Sequence, residues 1–249
     1  MELISHETLL AYWSADAVST NILIFMNLMG ALALGLILGY ERSYHGRAAG
    51  MRTYGLVCMA AAALTLIAGY PHFWYGGQSV ALVGADPTRV IQGIVTGIGF
   101  LGAGVIMREG FNISGLTTAA SIWSASAIGI MVGVGFFAAA ILLTLLSAGC
   151  MMWISRLENW LPSRPAIAIV MQFRNDFIPK FEVLKRVANE RGYDIAEGSL
   201  TINFKDGKPE WRFVAVAQGR NKGAPMTVLA HELTNFEGVE NYFLSHARN

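Results

Sequence analysis

The sequence predicts a membrane domain of five transmembrane helices followed by a small α+β domain. Of the 249 residues, 54% are hydrophobic and 14% are charged, and the mean hydropathy is +0.45, whereas roughly a quarter of the residues in a soluble domain are charged. The charges are also unevenly distributed, because only 11 of the 35 Lys, Arg, Asp and Glu residues lie within the first 155. A lipid-embedded part, residues 1–160, is therefore expected to precede a water-exposed part.

Four charge-free runs are long enough to cross a bilayer, whose hydrocarbon core requires roughly 20 apolar residues per helix. The last run, residues 110–155, is too long for one span, and the Gly133-Val134-Gly135 sequence near its middle predicts a helical hairpin. Five spans are therefore predicted, at about 17–40, 53–70, 90–107, 116–132 and 136–155.

Arginines in the short loops predict the orientation, because positively charged loops are retained on the cytoplasmic side. Arginines follow the first, third and fifth spans, whereas the amino-terminal tail has none and the second loop has Arg89 alone. We therefore expect a multi-pass protein in a lipid bilayer, with a periplasmic amino terminus and a cytoplasmic carboxyl terminus.

Glycines recur at four-residue spacing in three of the predicted spans. The pairs are Gly35 and Gly39, Gly93 and Gly97, and Gly129 and Gly133. Small residues at this spacing let helix backbones approach closely in lipid. The pattern predicts tight helix packing and contributes to our expectation of a homodimer.

Residues 166–249 predict a small α+β domain, which follows a linker at 161–165 that contains two prolines. An apolar β-rich run is followed by a helical pattern that ends near Gly192. Asp206-Gly207 separates two alternating runs and predicts a hairpin, and a second helical pattern precedes a last strand. The order βαββαβ is typical of a ferredoxin-like sandwich, the class that includes ACT modules.

Asp86 is the strongest candidate for a metal ligand. It precedes Pro87 at the start of the third span, with Arg89 nearby as a counter-charge, so a helix-capping role is favoured. The alternative is a Mg²⁺ site, because Mg²⁺ is held by one or two carboxylates and keeps several waters. Mg²⁺ is the one cofactor hypothesis that the sequence supports.

Four charged residues cluster after the first span: Glu41, Arg42, Arg47 and Arg52. We place them in the first loop, where they either enforce topology or form a site for an anion or a partner protein. The residues alone leave both interpretations open.

Arg108 and Glu109 form an adjacent pair in a short loop, most simply a solvated turn. Thr117, Thr118 and Ser121 follow at the start of the fourth span. Hydroxyls at these spacings favour hydrogen bonds to the preceding turn or to another helix over a permeation path.

Three separated segments resemble the MgtC/SapB family. They are Gly39-Tyr-Glu41-Arg42 with Gly46-Arg47-Ala-Ala-Gly50-Met-Arg52-Thr53, the block from Ile94 to Gly110, and Gly115-Leu-Thr117-Thr118-Ala-Ala-Ser121-Ile-Trp123. The resemblance implies a protein of the bacterial inner membrane with a cytoplasmic ACT-like domain. It also implies roles in growth at low magnesium, survival inside macrophages and restraint of the F1Fo ATP synthase. ACT-like modules pair, which is the second reason to expect a homodimer.

Three function classes follow from these observations. The favoured one is a regulator of another membrane complex; the alternatives are a transporter of magnesium or another ion, and a membrane-tethered sensor of a small ligand. No nucleic-acid partner is expected at a net charge of +1. No enzyme is expected either, because the histidines lie in tails, loops and the last domain, apart from any nucleophile.

Overall fold

In the part of the chain that the structure describes, five helices are long and apolar enough to cross a membrane, as the sequence predicts. They are α1 (Ala15–Tyr44), α2 (Met51–Gly69), α3 (Thr88–Val105), α4 (Leu116–Val134) and α5 (Phe137–Trp160), with a 3-10 helix at Pro71–Gly77. The structure, a computed structural model, describes residues 10–77, 86–109, 112–160, 164–219 and 222–247. Most of the predicted linker, residues 161–163, lies outside the described residues.

The helix boundaries lie within two residues of the predicted spans except at the ends of α1 and α5. α1 continues to Tyr44 instead of ending near residue 40, so it includes charged residues. α3 ends at Val105, because Met107–Glu109 forms a short strand, β1, that pairs with β2 at Asn112–Ser114. α5 continues to Trp160.

The chain divides into two compact units, of which the first contains the five helices except the last five residues of α5. Its core lies between α1, α2 and α4, where residues such as Leu38, Tyr54, Cys58 and Ile128 are fully buried. Because lipid is as apolar as these side chains, close packing rather than water exclusion drives this association.

The glycine pairs of α1 and α4 are part of this packing, as the sequence predicts. A Cβ atom on Gly35 would lie 2.6 Å from the Tyr54 carbonyl oxygen, and one on Gly129 would lie 2.1 Å from that of Cys58. The pair in α3 differs, because a Cβ atom on Gly93 or Gly97 would meet nothing within 4 Å in the described residues. The α3 pair therefore makes no tight contact of this kind.

The second unit is an antiparallel sheet with two helices. Its elements are β3 (Ala166–Phe173), α6 (Phe181–Glu190), β4 (Tyr193–Ile195), β5 (Thr201–Lys205), β6 (Lys208–Ala217), α7 (Met226–Asn235) and β7 (Val239–His246). The strand order is β4-β6-β3-β7, and β5 also pairs with β6. If β4 and β5 are counted as one interrupted strand, this is the predicted βαββαβ arrangement.

Local sequence explains the main features of the sheet. Asp206 and Gly207 both adopt positive φ angles, +54° and +77°, and join β5 to β6 in the predicted hairpin. Phe173 and Phe213 are fully buried, and the Phe173 ring meets Trp211 edge-on at 5.8 Å between centroids.

Candidate functional site

Glu41 and Arg42 lie in the last turn of α1, which corrects their placement in a loop. Only 7% and 5% of their respective surfaces are exposed. The close contact between α1 and α2 extends this far, because a Cβ atom on Gly39 would lie 2.6 Å from the Cα atom of Met51. Two opposite charges are therefore enclosed where α1 ends and α2 and α4 begin.

The guanidinium group of Arg42 links α1 to α4. Its Nη2 atom donates to the Thr118 hydroxyl oxygen at 3.3 Å, and its Nη1 atom lies 3.7 Å from Glu41 Oε2. Thr118 is in the first turn of α4 and is itself buried. Hydrogen bonds from a charged donor are stronger than neutral ones, so this contact holds the two helix ends together.

A second buried hydrogen bond links α2 to α4. The Tyr54 and Ser121 hydroxyl oxygens are 2.5 Å apart, and the Ser121 oxygen is also 2.8 Å from the Thr117 carbonyl oxygen. A serine hydroxyl has one proton, so Ser121 donates to the carbonyl and accepts from Tyr54. This agrees with the hydrogen-bonding interpretation that the sequence favours for these hydroxyls.

The charged pair is only partly satisfied. Glu41 Oε2 and Arg42 Nε are buried without a hydrogen-bond partner among the described residues. Burying a charge is costly unless it is paired and hydrogen-bonded, and ionisable groups enclosed in transmembrane helices are functional candidates. Arg42 Nε can therefore donate one further hydrogen bond, and Glu41 Oε2 can accept one. We call Glu41, Arg42, Tyr54, Thr118 and Ser121 the buried polar cluster.

The turn from α1 to α2 is ordered by side-chain hydrogen bonds. His45 Nδ1 lies 3.1 Å from Glu41 Oε1, so an exposed imidazole reaches the buried carboxylate. The backbone N–H of Met51 donates to the Ser43 hydroxyl oxygen at 2.9 Å and begins α2. A Cβ atom on Gly50 would lie 2.4 Å from the same oxygen, so a larger residue there would push the Ser43 hydroxyl out of this hydrogen bond.

Arg47 and Arg52, by contrast, are exposed at this turn. Of the four charged candidates after the first span, two are buried in the cluster and two face outward. The structure therefore separates a group of residues that the sequence presents as one set.

Asp86 lies apart from the cluster, before the start of α3. Its Oδ1 atom accepts from the Thr88 hydroxyl at 2.6 Å and from the Thr88 backbone N–H at 2.9 Å. These donors, the hydroxyl first, hold the pKa of the carboxyl below its ordinary value. Arg89 is exposed and donates its backbone N–H to the Asp86 carbonyl oxygen.

The Mg²⁺ hypothesis for Asp86 receives no further ligands from the described residues. Within residues 10–77, 86–109, 112–160, 164–219 and 222–247, no group of three His, Cys, Asp or Glu side chains could hold a metal ion. The hypothesis therefore rests on this carboxylate, whose Oδ2 atom accepts no hydrogen bond from the described residues.

The other candidates are not part of the cluster. Arg108 is exposed in β1, Thr117 is exposed in the first turn of α4, and the side chain of Glu109 lies outside the described residues. Of these, Thr117 contributes a carbonyl oxygen, the acceptor for Ser121.

Sequence reasoning missed Tyr54, His45 and Ser126. Tyr54 and His45 complete the contacts of the cluster, and Ser126 is a buried α4 serine whose hydroxyl oxygen has no described partner. The only signal in the sequence was chemical, because the phenol of Tyr54 near the start of one apolar span and the hydroxyl of Ser126 within another both require hydrogen-bond partners. The partner of Tyr54 is 67 residues away in sequence and could not be assigned.

The second unit contains an apolar cavity of about 50 Å³ between its sheet and helices. Met171, Leu184 and Phe213 are among its lining residues, and an ion pair between Arg191 and Glu232 joins α6 to α7 beside it. An apolar cavity with room for only a few water molecules does not by itself define a ligand site.

Comparison with known proteins matches the helical unit. The profile of the MgtC family matches residues 28–160. Protein MgtC of Salmonella typhimurium is 42% identical over 121 residues, 49% of this chain and 48% of the relative. Protein MgtC of Brucella abortus is 42% identical over 117 residues, 47% of this chain and 45% of the relative.

The chain spans about half the length of the curated relatives that it matches. No solved structure matches it. The matched region contains the buried polar cluster and most of the five membrane-spanning helices. The chain belongs to the MgtC family and is a multi-pass membrane protein.

Proposed function

We propose that this protein supports adaptation to low magnesium by regulating another membrane complex, such as the F1Fo ATP synthase, from the bacterial inner membrane. The observation that carries the proposal is the turn from α1 to α2. Its exposed arginines, Arg47 and Arg52, stand beside a buried polar cluster that ties α1, α2 and α4 together.

Two physical properties make this turn suitable for contact with a protein. Its backbone is anchored by the Ser43 to Met51 hydrogen bond and by the buried end of α1, so little conformational entropy is lost on binding. Arginine provides planar, multidentate donors for carboxylates on a partner. The proposed partner therefore presents an acidic surface near the membrane.

Regulation is favoured over transport by the way the buried charges are used. Glu41 and Arg42 contact each other, and Arg42 bonds to α4, which supports a structural linkage rather than a sequence of ion sites. The family resemblance also implies survival inside macrophages, which would follow from growth at low magnesium.

Affinity purification from native bacterial membranes tests the proposal. The tagged protein should retain the F1Fo ATP synthase, and the double variant Arg47→Glu/Arg52→Glu should lose it and fail to support growth at low magnesium. Arg174→Glu, which changes an exposed arginine of the second unit, is the matched control. It should retain the complex and support growth at low magnesium. Equal recovery of the complex by the double variant would refute the assignment of this turn.

A flux assay separates the regulatory and transport proposals. Purified protein in liposomes that contain a magnesium-sensitive dye should show no more influx than empty liposomes. Protein-dependent influx of Mg²⁺ would replace the regulatory proposal with the transporter alternative.

A further inference from the structure

The groove between α2 and α3 is lined by two glycines and by one buried serine. Its volume is about 440 Å³, and its wall includes Ala61 on α2, Gly93 and Gly97 on α3, and Ser126 on α4. Only Ile94 and Ile98 of α3 are buried. This helix therefore presents most of its surface outward from the described core.

Ser126 brings to the groove a buried hydroxyl group that has no hydrogen-bond partner among the described residues. Only 2% of the residue is exposed. The nearby α4 residues Ser121 and Ser124 bond back to carbonyl oxygens of the preceding turn. A lipid acyl chain has no hydrogen-bonding group, so an occupant of the groove that offers an acceptor is favoured.

The glycines of α3 allow close approach by another helix. At 100° per residue, Gly93, Gly97 and Gly104 fall within about 40° of one another around the helix. None of the three would bring a Cβ atom within 4 Å of another described atom. The glycine pairs of α1 and α4 are already in contact within the chain, so among the three predicted pairs the α3 pair is left for contact with another molecule.

Phe100 lies on the same face of α3 as these glycines. It is 81% exposed, the largest value among the large apolar side chains described for the five helices. A protruding aromatic side chain and a recessed groove therefore occur on one surface. A two-fold interface requires this self-complementarity, because each copy presents the same surface to the other.

We propose that α3 is the interface of a homodimer, in which Phe100 of each copy enters the α2–α3 groove of the other. The glycines let the two α3 helices approach, and Ser126 donates to a backbone carbonyl oxygen of the facing helix. This interface is independent of the arginine turn proposed for the partner complex.

Cysteine cross-linking in native membranes tests the interface. Two differently tagged copies are co-expressed in a Cys150→Ser background, which retains only the buried Cys58. One copy carries Phe100→Cys and the other carries Val57→Cys in the wall of the groove, and oxidation should join them by a disulfide. Val95→Cys is the matched control, because Val95 is also exposed but lies about 160° from Gly97 around the helix. Equal cross-linking of both variants, or none at Phe100→Cys, would overturn the proposed geometry.

A steric substitution provides the second test. Gly97→Leu should reduce co-purification of two differently tagged copies at least about ten-fold, which corresponds to 1.4 kcal/mol. Gly149→Leu on α5 is the control, because a Cβ atom there also meets nothing within 4 Å. Both variants should keep the wild-type helix content in circular dichroism, which shows that the monomer still folds. A dimer that survives Gly97→Leu, a monomeric wild-type protein, or capture of a different protein at this groove would refute the homodimer.

Discussion

Arg42 and Thr118, 76 residues apart in sequence, are joined by a 3.3 Å hydrogen bond from the guanidinium Nη2 atom to the threonine hydroxyl oxygen. The bond ties the last turn of α1 to the first turn of α4, and both residues are buried. The position of this charge is therefore a property of how the helices pack.

Thr118→Val should destabilise the helical unit, because valine keeps the shape of threonine but leaves an Arg42 N–H buried without an acceptor. The expected loss is about 1–3 kcal/mol of unfolding free energy. Unfolding in mixed micelles measures it. Thr118→Ser retains the hydroxyl and should lose much less; an equal loss in both variants would mean that the methyl group, not the hydrogen bond, matters.

Arg42→Met should cost more than Thr118→Val, because it leaves the Glu41 carboxylate buried without its counter-charge. Removing one partner of a buried ion pair costs roughly 3–5 kcal/mol. The double variant Glu41→Gln/Arg42→Met should be more stable than Arg42→Met alone, since no uncompensated charge remains. Melting temperatures of the three proteins in detergent decide this, and additive losses would contradict an interacting pair.

Gly129→Ala should destabilise the contact between α4 and α2, because the new Cβ atom would lie 2.1 Å from the Cys58 carbonyl oxygen. This oxygen belongs to the backbone and cannot rotate away as the end of a flexible side chain can. Overpacking costs typically about 1–3 kcal/mol. Gly149→Ala is the control, with no neighbour within 4 Å. Thermal unfolding of both variants measures the difference, and equal stability would show that α2 and α4 can separate at little cost.

Asp86→Asn should preserve the start of α3, because an amide oxygen accepts both hydrogen bonds from Thr88. We expect growth at low magnesium to fail while the amount of protein in the membrane is unchanged, since an amide is a weak ligand for Mg²⁺. Growth assays with immunoblots of the membrane fraction test this. Normal growth at wild-type abundance would leave Asp86 with a capping role alone.

Asp86→Asn should also change how the stability of the folded protein depends on pH. Because the Asp86 pKa is lowered in the folded protein, its contribution to stability is present above the ordinary carboxyl pKa and is lost as the pH falls through the lowered value. Asp86→Asn should lack this loss. Melting temperatures of both proteins between neutral and acidic pH provide the comparison.

Reporter fusions test the orientation that the loop arginines predict. Alkaline phosphatase fused after Asn249 should be inactive and a cytoplasmic fluorescent reporter at the same position should be bright, because the enzyme folds only after export. The opposite pattern would place the carboxyl terminus outside the cytoplasm and would contradict the predicted orientation.

The sequence by itself determined the number of membrane-crossing helices and the order of elements in the second unit. Both depend on local properties: the length of charge-free runs, alternation along strands and the turn residues Asp206 and Gly207. The family segments could also be recognised without a structure, because they are contiguous stretches of chain. Helix ends were less predictable, since α1 continues through two charges that its packing encloses.

Only the tertiary structure decided which of these residues act together. It buried Glu41 and Arg42 and left Arg47 and Arg52 exposed. It also paired Tyr54 with Ser121, 67 residues away in sequence. It also distinguished Gly93 and Gly97 from glycine pairs of identical spacing, because only their surroundings differ. Burial and long-range contacts depend on how helices pack against one another, which spacing along one helix does not specify.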